Sequence, residues 1–195
     1  MVRVAVSGAA GRMGTSILNT LIEDRGIEIV GATEISGHPM IGSGLGSIVN
    51  SKIKNVLITD DFNSAYKNAD VVVDFTVPSS SLLTADYCRR KKKAVVIGTT
   101  GFSPEQKKKL EKSIKKIPTV FSPNMSIGVN LVFEVSKILA DRLGKEFDVE
   151  IVEAHHKNKV DAPSGTAIRL AESVAEGLGI NLVKYVHLCM AMRGI

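Results

Sequence analysis

The sequence predicts an α/β fold in which crossover helices connect the strands of a parallel sheet. Short apolar runs such as Val71-Val72-Val73 and Ala94-Val95-Val96-Ile97 alternate along the chain with segments of helical spacing. The 195 residues are 44% hydrophobic and 23% charged, a balance typical of globular proteins rather than disordered ones. That length suits one large domain or two small ones.

The strands and helices of the first part follow one another up to about residue 123. Ile17, Leu18 and Leu21 share one face at helical spacing, and Pro104 suits a first helical turn. The Gly- and Ser-rich stretch 35–55 is expected to be a surface loop. We predict strands over residues 2–7, 27–33, 56–59, 70–76, 94–98 and 119–121, and helices over 12–24, 79–92 and 104–117.

The remaining third is predicted to contain two helices separated by a strand. A helix is expected over residues 127–143, with Gly144 as its C-cap. A strand over 148–154 then leads into a polar segment, and a helix is expected over 166–176.

Composition argues against several classes of partner. The net charge is +5, but the basic run from Arg89 to Lys93 has no aromatic residues interleaved with it, so we expect solvated faces and no nucleic acid. No apolar run approaches the roughly 20 residues of a membrane span, and no secretory signal is evident, so we expect a cytoplasmic protein without a membrane partner. Cys88 and Cys189 lie in no metal-ligand spacing, which predicts buried thiols and no metal site.

A glycine-rich turn separates the first predicted strand from the first helix. Gly8, Gly11 and Gly14 have the G-x-x-G-x-x-G spacing that lets the backbone approach a pyrophosphate at a helix N-terminus. Glu34 follows Gly14 by twenty residues, at the end of the second strand, where a carboxylate accepts hydrogen bonds from a ribose diol. The alternative is an ordinary tight turn with Glu34 merely exposed. The residue after Glu34 is Ile35, which has no positive charge to bind a 2′-phosphate, so the pattern favours NADH. NADPH stays open because Arg12, Lys52 or Lys54 could reach that phosphate.

Polar turns follow three other predicted strands. They are residues 74–78, 98–101 and 122–126, and the carboxyl ends of parallel strands face one crevice. Each turn alone is compatible with ordinary turn chemistry. Together they predict one ligand site at this edge of the sheet.

The segment 153–167 concentrates groups that can carry protons. His155, His156 and Lys159 stand within five residues, and Ser164-Gly165-Thr166 opens a helix whose free N–H groups can bind an anion. One alternative is a capped helix with Ser164 as N-cap. Metal binding by the adjacent histidines is disfavoured because no third ligand is evident.

These motifs resemble the 4-hydroxy-tetrahydrodipicolinate reductase family, also called dihydrodipicolinate reductase, of the diaminopimelate route to lysine. The resemblance covers residues 1 to about 180, and segment 153–167 is its most specific part. It implies a Rossmann-like dinucleotide-binding domain over 1–124, a smaller α+β substrate-binding domain over 125–195, and a homotetramer. It also implies NADH or NADPH as cofactor and a cyclic imine with two carboxylates as substrate.

The resemblance further implies roles for individual residues. His155 would be the catalytic acid, Lys159 a catalytic-site cation that binds substrate, and His156 a further substrate contact. The amides of Gly165 and Thr166 would hold a substrate carboxylate. The residues implied in cofactor binding are Gly8, Gly11, Arg12, Met13, Gly14, Glu34, Phe75, Thr76, Gly98, Thr99, Thr100, Asn124 and Met125.

The C-terminus departs from the family pattern. Members of the family continue for several tens of residues past the position of Ile195, so we expect that segment to be missing here. Two alternatives to an active reductase stay open. One is a shortened dinucleotide-binding module without activity, and the other is a different small oxidoreductase such as an aspartate dehydrogenase.

Overall fold

The computed structural model describes residues 1–49, 53, 55–155 and 163–185. The chain divides into two compact units, Met1–Ser122 and Pro123–Ile195. Asn124 and Met125, which the sequence places with the cofactor-binding residues, therefore fall in the second unit.

The first unit is built on a six-stranded parallel sheet with the order β3-β2-β1-β4-β5-β6. This arrangement confirms the predicted α/β class. The strands are β1 (Val2–Ser7), β2 (Ile27–Thr33), β3 (Ile58–Thr59), β4 (Val71–Asp74), β5 (Ala94–Ile97) and β6 (Thr119–Phe121).

The crossover helices of this unit lie close to their predicted positions. The exception is a five-residue helix that no sequence period could indicate, because it is little more than one turn. Its N-cap is Asp61, whose carboxylate accepts from the amides of Asn63 and Ser64. The helices are α1 (Arg12–Glu23), α2 (Phe62–Tyr66), α3 (Pro78–Lys91) and α4 (Pro104–Ile114), with a 3₁₀ turn at Leu45–Ser47.

Alternate residues of each central strand face opposite sides of the sheet. Val4 and Val6 of β1 belong to a cluster with Leu18 of α1, whereas Ala5 belongs to the cluster on the other side. That second cluster includes Cys88, and burial raises the pKa of its thiol to about 12. Cys88 is thus the buried thiol expected from the sequence, and Cys189 lies outside the described residues.

Buried polar side chains end three of the central strands at one level of the sheet. Ser7 of β1 pairs in register with Thr33 of β2 and with Asp74 of β4, and all three are buried. The Thr33 hydroxyl lies 2.6 Å from the buried Tyr66 hydroxyl. The apolar strands therefore change to polar residues at the edge where parallel strands present their carboxyl ends.

The regular elements among the described residues of the second unit are all helical. Helices α5 (Ile127–Leu143) and α6 (Gly165–Leu178) pack together and are joined by an ion pair of 3.0 Å between Lys137 and Glu176. A Cβ at Gly177 would overlap the carbonyl oxygen of Lys137, so the close contact requires glycine. A 3₁₀ turn (Gly144–Glu146) follows α5, and α7 (Leu182–Tyr185) follows α6.

The strand predicted over residues 148–154 is wrong, since these residues form no regular element. A strand needs a partner for its backbone N–H and C=O groups, and the described residues of the second unit include no other strand. Without such a partner, alternating apolar side chains do not make a strand. Val149 and Val152 are exposed.

No described helix has the length and hydropathy that a membrane span requires.

We predict that Gly31→Ala destabilises the first unit. A Cβ at Gly31 of β2 would overlap the carbonyl oxygen of Ala65 on α2, and the resulting shift should cost about 1–3 kcal/mol. Urea unfolding measures this. The control is Gly44→Ala, whose Cβ meets open space at a negative φ. Equal stability of the two variants would contradict the close contact of β2 with α2.

Candidate active site

The glycine-rich turn brings the start of α1 against the end of β1. Gly8 has a φ of +66°, a left-handed conformation that glycine adopts without strain. A Cβ at Gly14 would overlap the carbonyl oxygen of Gly8. The Gly11 amide donates to that same oxygen at 3.1 Å. Glycine at these positions is therefore a steric requirement of the turn.

Helix α1 begins without a side-chain cap. Its N-cap is Gly11, whereas the N-caps of α2, α4, α5 and α6 all accept hydrogen bonds through a side chain. Helix α3 also lacks such a cap, because Val77 precedes it. Within the described residues, no side chain accepts from the first amides of α1. These amides and the helix dipole can bind an anion such as a pyrophosphate.

Glu34 lies beside this turn at the end of β2. Its Oε1 accepts from the Ala10 amide at 2.8 Å, and Oε2 accepts from the Ile35 amide at 3.2 Å. The carboxylate is thus fixed next to the glycine-rich loop, where the ribose of a dinucleotide would be expected. The sequence spacing did not predict the bond to Ala10, because it joins two loops that meet only in the folded chain.

The end of β4 adjoins the same turn, and the end of β5 adjoins the residues that follow β4. A Cβ at Gly8 would lie 2.6 Å from Cγ2 of Thr76, so the threonine methyl packs against the glycine-rich loop. A Cβ at Gly98 would overlap the ring of Phe75, so that ring lies on the glycine backbone. The structure therefore brings Gly8, Phe75, Thr76 and Gly98 together.

The other cofactor-binding residues expected in the first unit differ in exposure. Arg12, Met13 and Thr100 are exposed and accessible to a ligand. Thr99 is only 3% exposed, and its hydroxyl lies 2.7 Å from that of Ser81. Its side chain therefore belongs to the layer beneath the surface.

In the second unit, Glu153 links His155 to the start of α6. One carboxylate oxygen lies 2.8 Å from Nε2 of His155, and the other accepts from the Ser164 amide at 2.8 Å. These hydrogen bonds, with those from Ser164 as the largest cause, lower the pKa of Glu153 to about 2. The His155 ring is exposed, so it can meet a substrate.

Ser164 caps α6 as the alternative interpretation of this segment expects. Its hydroxyl accepts from the Ala167 amide at 3.0 Å. The amides of Gly165 and Thr166 donate no hydrogen bond to another described residue. The Thr166 hydroxyl accepts from Asn124 Nδ2 at 3.2 Å, and Met125 is exposed.

His156 and Lys159 lie outside the described residues, so their predicted roles stay predictions. No group of three or more potential metal ligands forms among the residues that the structure describes.

The fold and these turns define a Rossmann-like dinucleotide-binding protein. The family model described as dihydrodipicolinate reductase, N-terminus, matches residues 2–125, and that of its C-terminus matches residues 128–191. The chain therefore belongs to the dihydrodipicolinate reductase family, and the predicted resemblance is confirmed.

Individual relatives agree with this assignment. The 4-hydroxy-tetrahydrodipicolinate reductases of Geotalea daltonii and Geobacter metallireducens are 50% and 49% identical over 179 residues, which is 92% of this chain and 67% of each relative. A solved structure of dipicolinate-bound dihydrodipicolinate reductase from Paenisporosarcina sp. TG-14 is 31% identical with a TM-score of 0.69. It matches 90% of this chain and 66% of that one. The chain thus spans about two thirds of the length of these relatives.

Two acidic residues with evident roles in this arrangement were not assigned from the sequence. Glu153 contacts His155, and Asp74 is buried at the end of β4. A signal existed for Asp74, since it directly follows Val71-Val72-Val73 in a predicted central strand, where burial is expected. Its partners could not be read from the sequence because they come from separate turns.

We predict that Glu153 stays ionised far below the usual range of a glutamate. Because its pKa is about 2 in the folded chain against 4.5 ordinarily, the contacts to Ser164 and His155 stabilise the fold above pH 4.5. That contribution is lost as the pH falls toward 2. A ¹³C NMR titration of the side-chain carboxyl should show it ionised at about pH 3.5. A midpoint of 4.5 would mean that the carboxylate is not held by the Ser164 amide.

Proposed function

We propose that this chain reduces 4-hydroxy-tetrahydrodipicolinate, or dihydrodipicolinate, to tetrahydrodipicolinate with NADH or NADPH. The observation that carries the proposal is the uncapped start of α1, which opens directly onto the glycine-rich turn beside Glu34. Membership of the reductase family supplies the substrate. This activity belongs to the diaminopimelate route to lysine.

The residues of the first unit fit a dinucleotide. Gly8 and Gly14 leave no room for a side chain, and the backbone amides at the start of α1 suit a pyrophosphate. When bound, the nicotinamide supplies a hydride to the unsaturated ring. We assign the pyrophosphate and adenosine half to Gly8, Gly11, Arg12, Met13, Gly14 and Glu34, and the nicotinamide to Gly98, Thr100, Asn124 and Met125. Phe75, Thr76 and Thr99 are the remaining residues assigned to the cofactor.

Glu34 favours NADH over NADPH in this proposal. Its carboxylate is held at the end of β2, where a 2′-phosphate would meet a like charge, and the next residue is Ile35 rather than a cation. A ribose diol would instead donate to the carboxylate. We therefore expect a preference for NADH and retain NADPH as a slower cofactor.

The second unit would hold the substrate and supply a proton. His155 would protonate the carbon next to the hydride acceptor, since its exposed ring is held by Glu153. The amides of Gly165 and Thr166 would bind one substrate carboxylate at the start of α6. Lys159 would pair with a carboxylate as a fixed cation, and His156 would be a further contact.

A dinucleotide-binding module without activity is the second candidate. Family membership of both halves of the chain favours the reductase, because a binding module would not need the second unit. We also propose a cytoplasmic location and a homotetramer, both of which rest on the resemblance to the family.

We predict that the 195-residue chain oxidises NADH when its substrate is formed from pyruvate and aspartate semialdehyde by the synthase that makes it. His155→Ala should lower kcat by roughly 10²- to 10⁴-fold, the usual contribution of a general acid, with NADH affinity unchanged. Lys159→Ala should chiefly raise KM for the substrate. Absorbance at 340 nm and NADH titration by fluorescence measure these effects.

The control is His38→Ala, because His38 is the other described histidine and its ring accepts only from the Met40 amide among the described residues. It should leave kcat within about twofold. NADH binding by the unaltered chain without turnover would favour the inactive module. Unchanged turnover in His155→Ala would contradict the assignment of the acid.

A further inference from the structure

A carboxylate is buried beneath the proposed cofactor site. Asp74, the last residue of β4, is completely inaccessible to solvent. Its Oδ1 accepts from the Thr76 amide at 3.0 Å and from the Thr76 hydroxyl at 2.6 Å. The Ser81 hydroxyl lies 2.8 Å from the same oxygen.

This one oxygen connects the turns that follow β4 and β5. The Ser81 hydroxyl is also 2.7 Å from Oγ1 of Thr99, which itself lies 3.4 Å from Asp74 Oδ1. The Asp74 carbonyl accepts from the Gly98 amide at 2.9 Å. The turn that carries Thr76 and the turn that carries Gly98 and Thr99 are therefore both attached to Asp74.

The attachment extends to the glycine-rich loop. The methyl group of Thr76 packs at the position that a Cβ of Gly8 would occupy. If Thr76 changed rotamer, its hydroxyl would leave Asp74 and its methyl would leave Gly8 together. The side chain of Asp74 thus sets the position of a group that contacts the first turn of the fold.

Fold stability alone does not explain why the Asp74 carboxylate is buried at this position. Burying a polar side chain costs free energy unless every polar atom is hydrogen-bonded, and apolar replacements of similar shape can be nearly neutral or stabilising. The Oδ2 atom of Asp74 adds to the cost, because it is buried with no hydrogen-bond partner among the described residues. We therefore expect the role of Asp74 to lie in positioning the groups that it binds rather than in stabilising the fold.

We propose that Asp74 is a positioning residue for the dinucleotide. By holding Thr76, which contacts Gly8, and, through Ser81, Thr99 of the neighbouring turn, it fixes the turns after β4 and β5 in the geometry that the cofactor meets. This inference rests on the proposed cofactor site and adds to it two residues beneath the surface, Asp74 and Ser81. Neither is exposed, so both act through Thr76 and through the turn that carries the buried Thr99 and the exposed Thr100.

The test compares NADH affinity and stability in four variants. Asp74→Ala removes both side-chain acceptors and should raise the Kd for NADH about tenfold to a hundredfold, because the Thr76 amide, the Thr76 hydroxyl and the Ser81 hydroxyl all lose their partner. Asp74→Asn keeps an acceptor at Oδ1 and places its NH₂ group where Oδ2 has no partner. The Kd of this variant for NADH should stay within about threefold of that of the unaltered chain, because the hydrogen bonds to Oδ1 keep their geometry.

Ser81→Ala and Thr84→Val form the matched pair on α3. Both side chains are fully buried, but Thr84 makes no hydrogen bond to Asp74 among the described residues. Ser81→Ala should raise the Kd about three- to tenfold, whereas Thr84→Val should leave it within twofold even where urea unfolding shows equal destabilisation. In turnover, KM for NADH should rise and KM for the imine substrate should not.

Each outcome decides the proposal. It is overturned if folded Asp74→Ala and Ser81→Ala bind NADH like the unaltered chain, or if Thr84→Val weakens binding as much as Ser81→Ala. Should Asp74→Ala fail to fold, Ser81→Ala and the rescue by Asp74→Asn decide alone. An unaltered chain that does not bind NADH would overturn the proposed function and this inference together, whereas NADH binding that is insensitive to these variants overturns only the inference.

Discussion

The close approach of the first helix to the first strand is the constraint on which the arrangement depends. At Gly14 no side chain fits against the Gly8 carbonyl, and at Gly8 the backbone adopts a positive φ against the Thr76 methyl. Because the N-cap of α1 is also a glycine, no side chain in the described part of the chain caps the first amides of the helix. The same contact that packs α1 onto the sheet thus leaves an anion site open, which links the packing of the first unit to its proposed chemistry.

Polarity at the strand ends follows from the same topology. Ser7, Thr33 and Asp74 occupy one level across three neighbouring strands, directly beyond apolar residues that form the core. The turns after β4 and β5 are held on this layer by hydrogen bonds to Asp74 as well as by the contacts of Thr76 with Gly8 and of Phe75 with Gly98. The second unit uses the same means at the start of α6, where Glu153 connects His155 with the Ser164 amide.

How much the sequence predicts depends on how local each signal is. Strands β1, β2 and β6 and helix α5 have their predicted bounds. The signals that set these bounds are apolar runs, caps and glycines, and all of them are local in the sequence. The strand over 148–154 failed because a strand depends on a partner elsewhere in the chain. The bond of Glu34 to Ala10 and the partners of Asp74 were equally inaccessible, since each joins separate turns. Segment 156–162, which holds His156 and Lys159, lies outside the described residues.

The most direct measurement is an NMR titration of the ¹⁵N-labelled chain with NADH. The account predicts saturable shifts of the backbone amides from Gly8 to Gly14, with further shifts at Glu34 and at the turns that begin at Phe75 and Gly98. A basic groove of about 280 Å³ between α3 and α4, lined by Arg89 and Lys109 among others, offers a competing place for an anion. Saturable shifts confined to that groove, with the glycine-rich turn unaffected, would contradict the account.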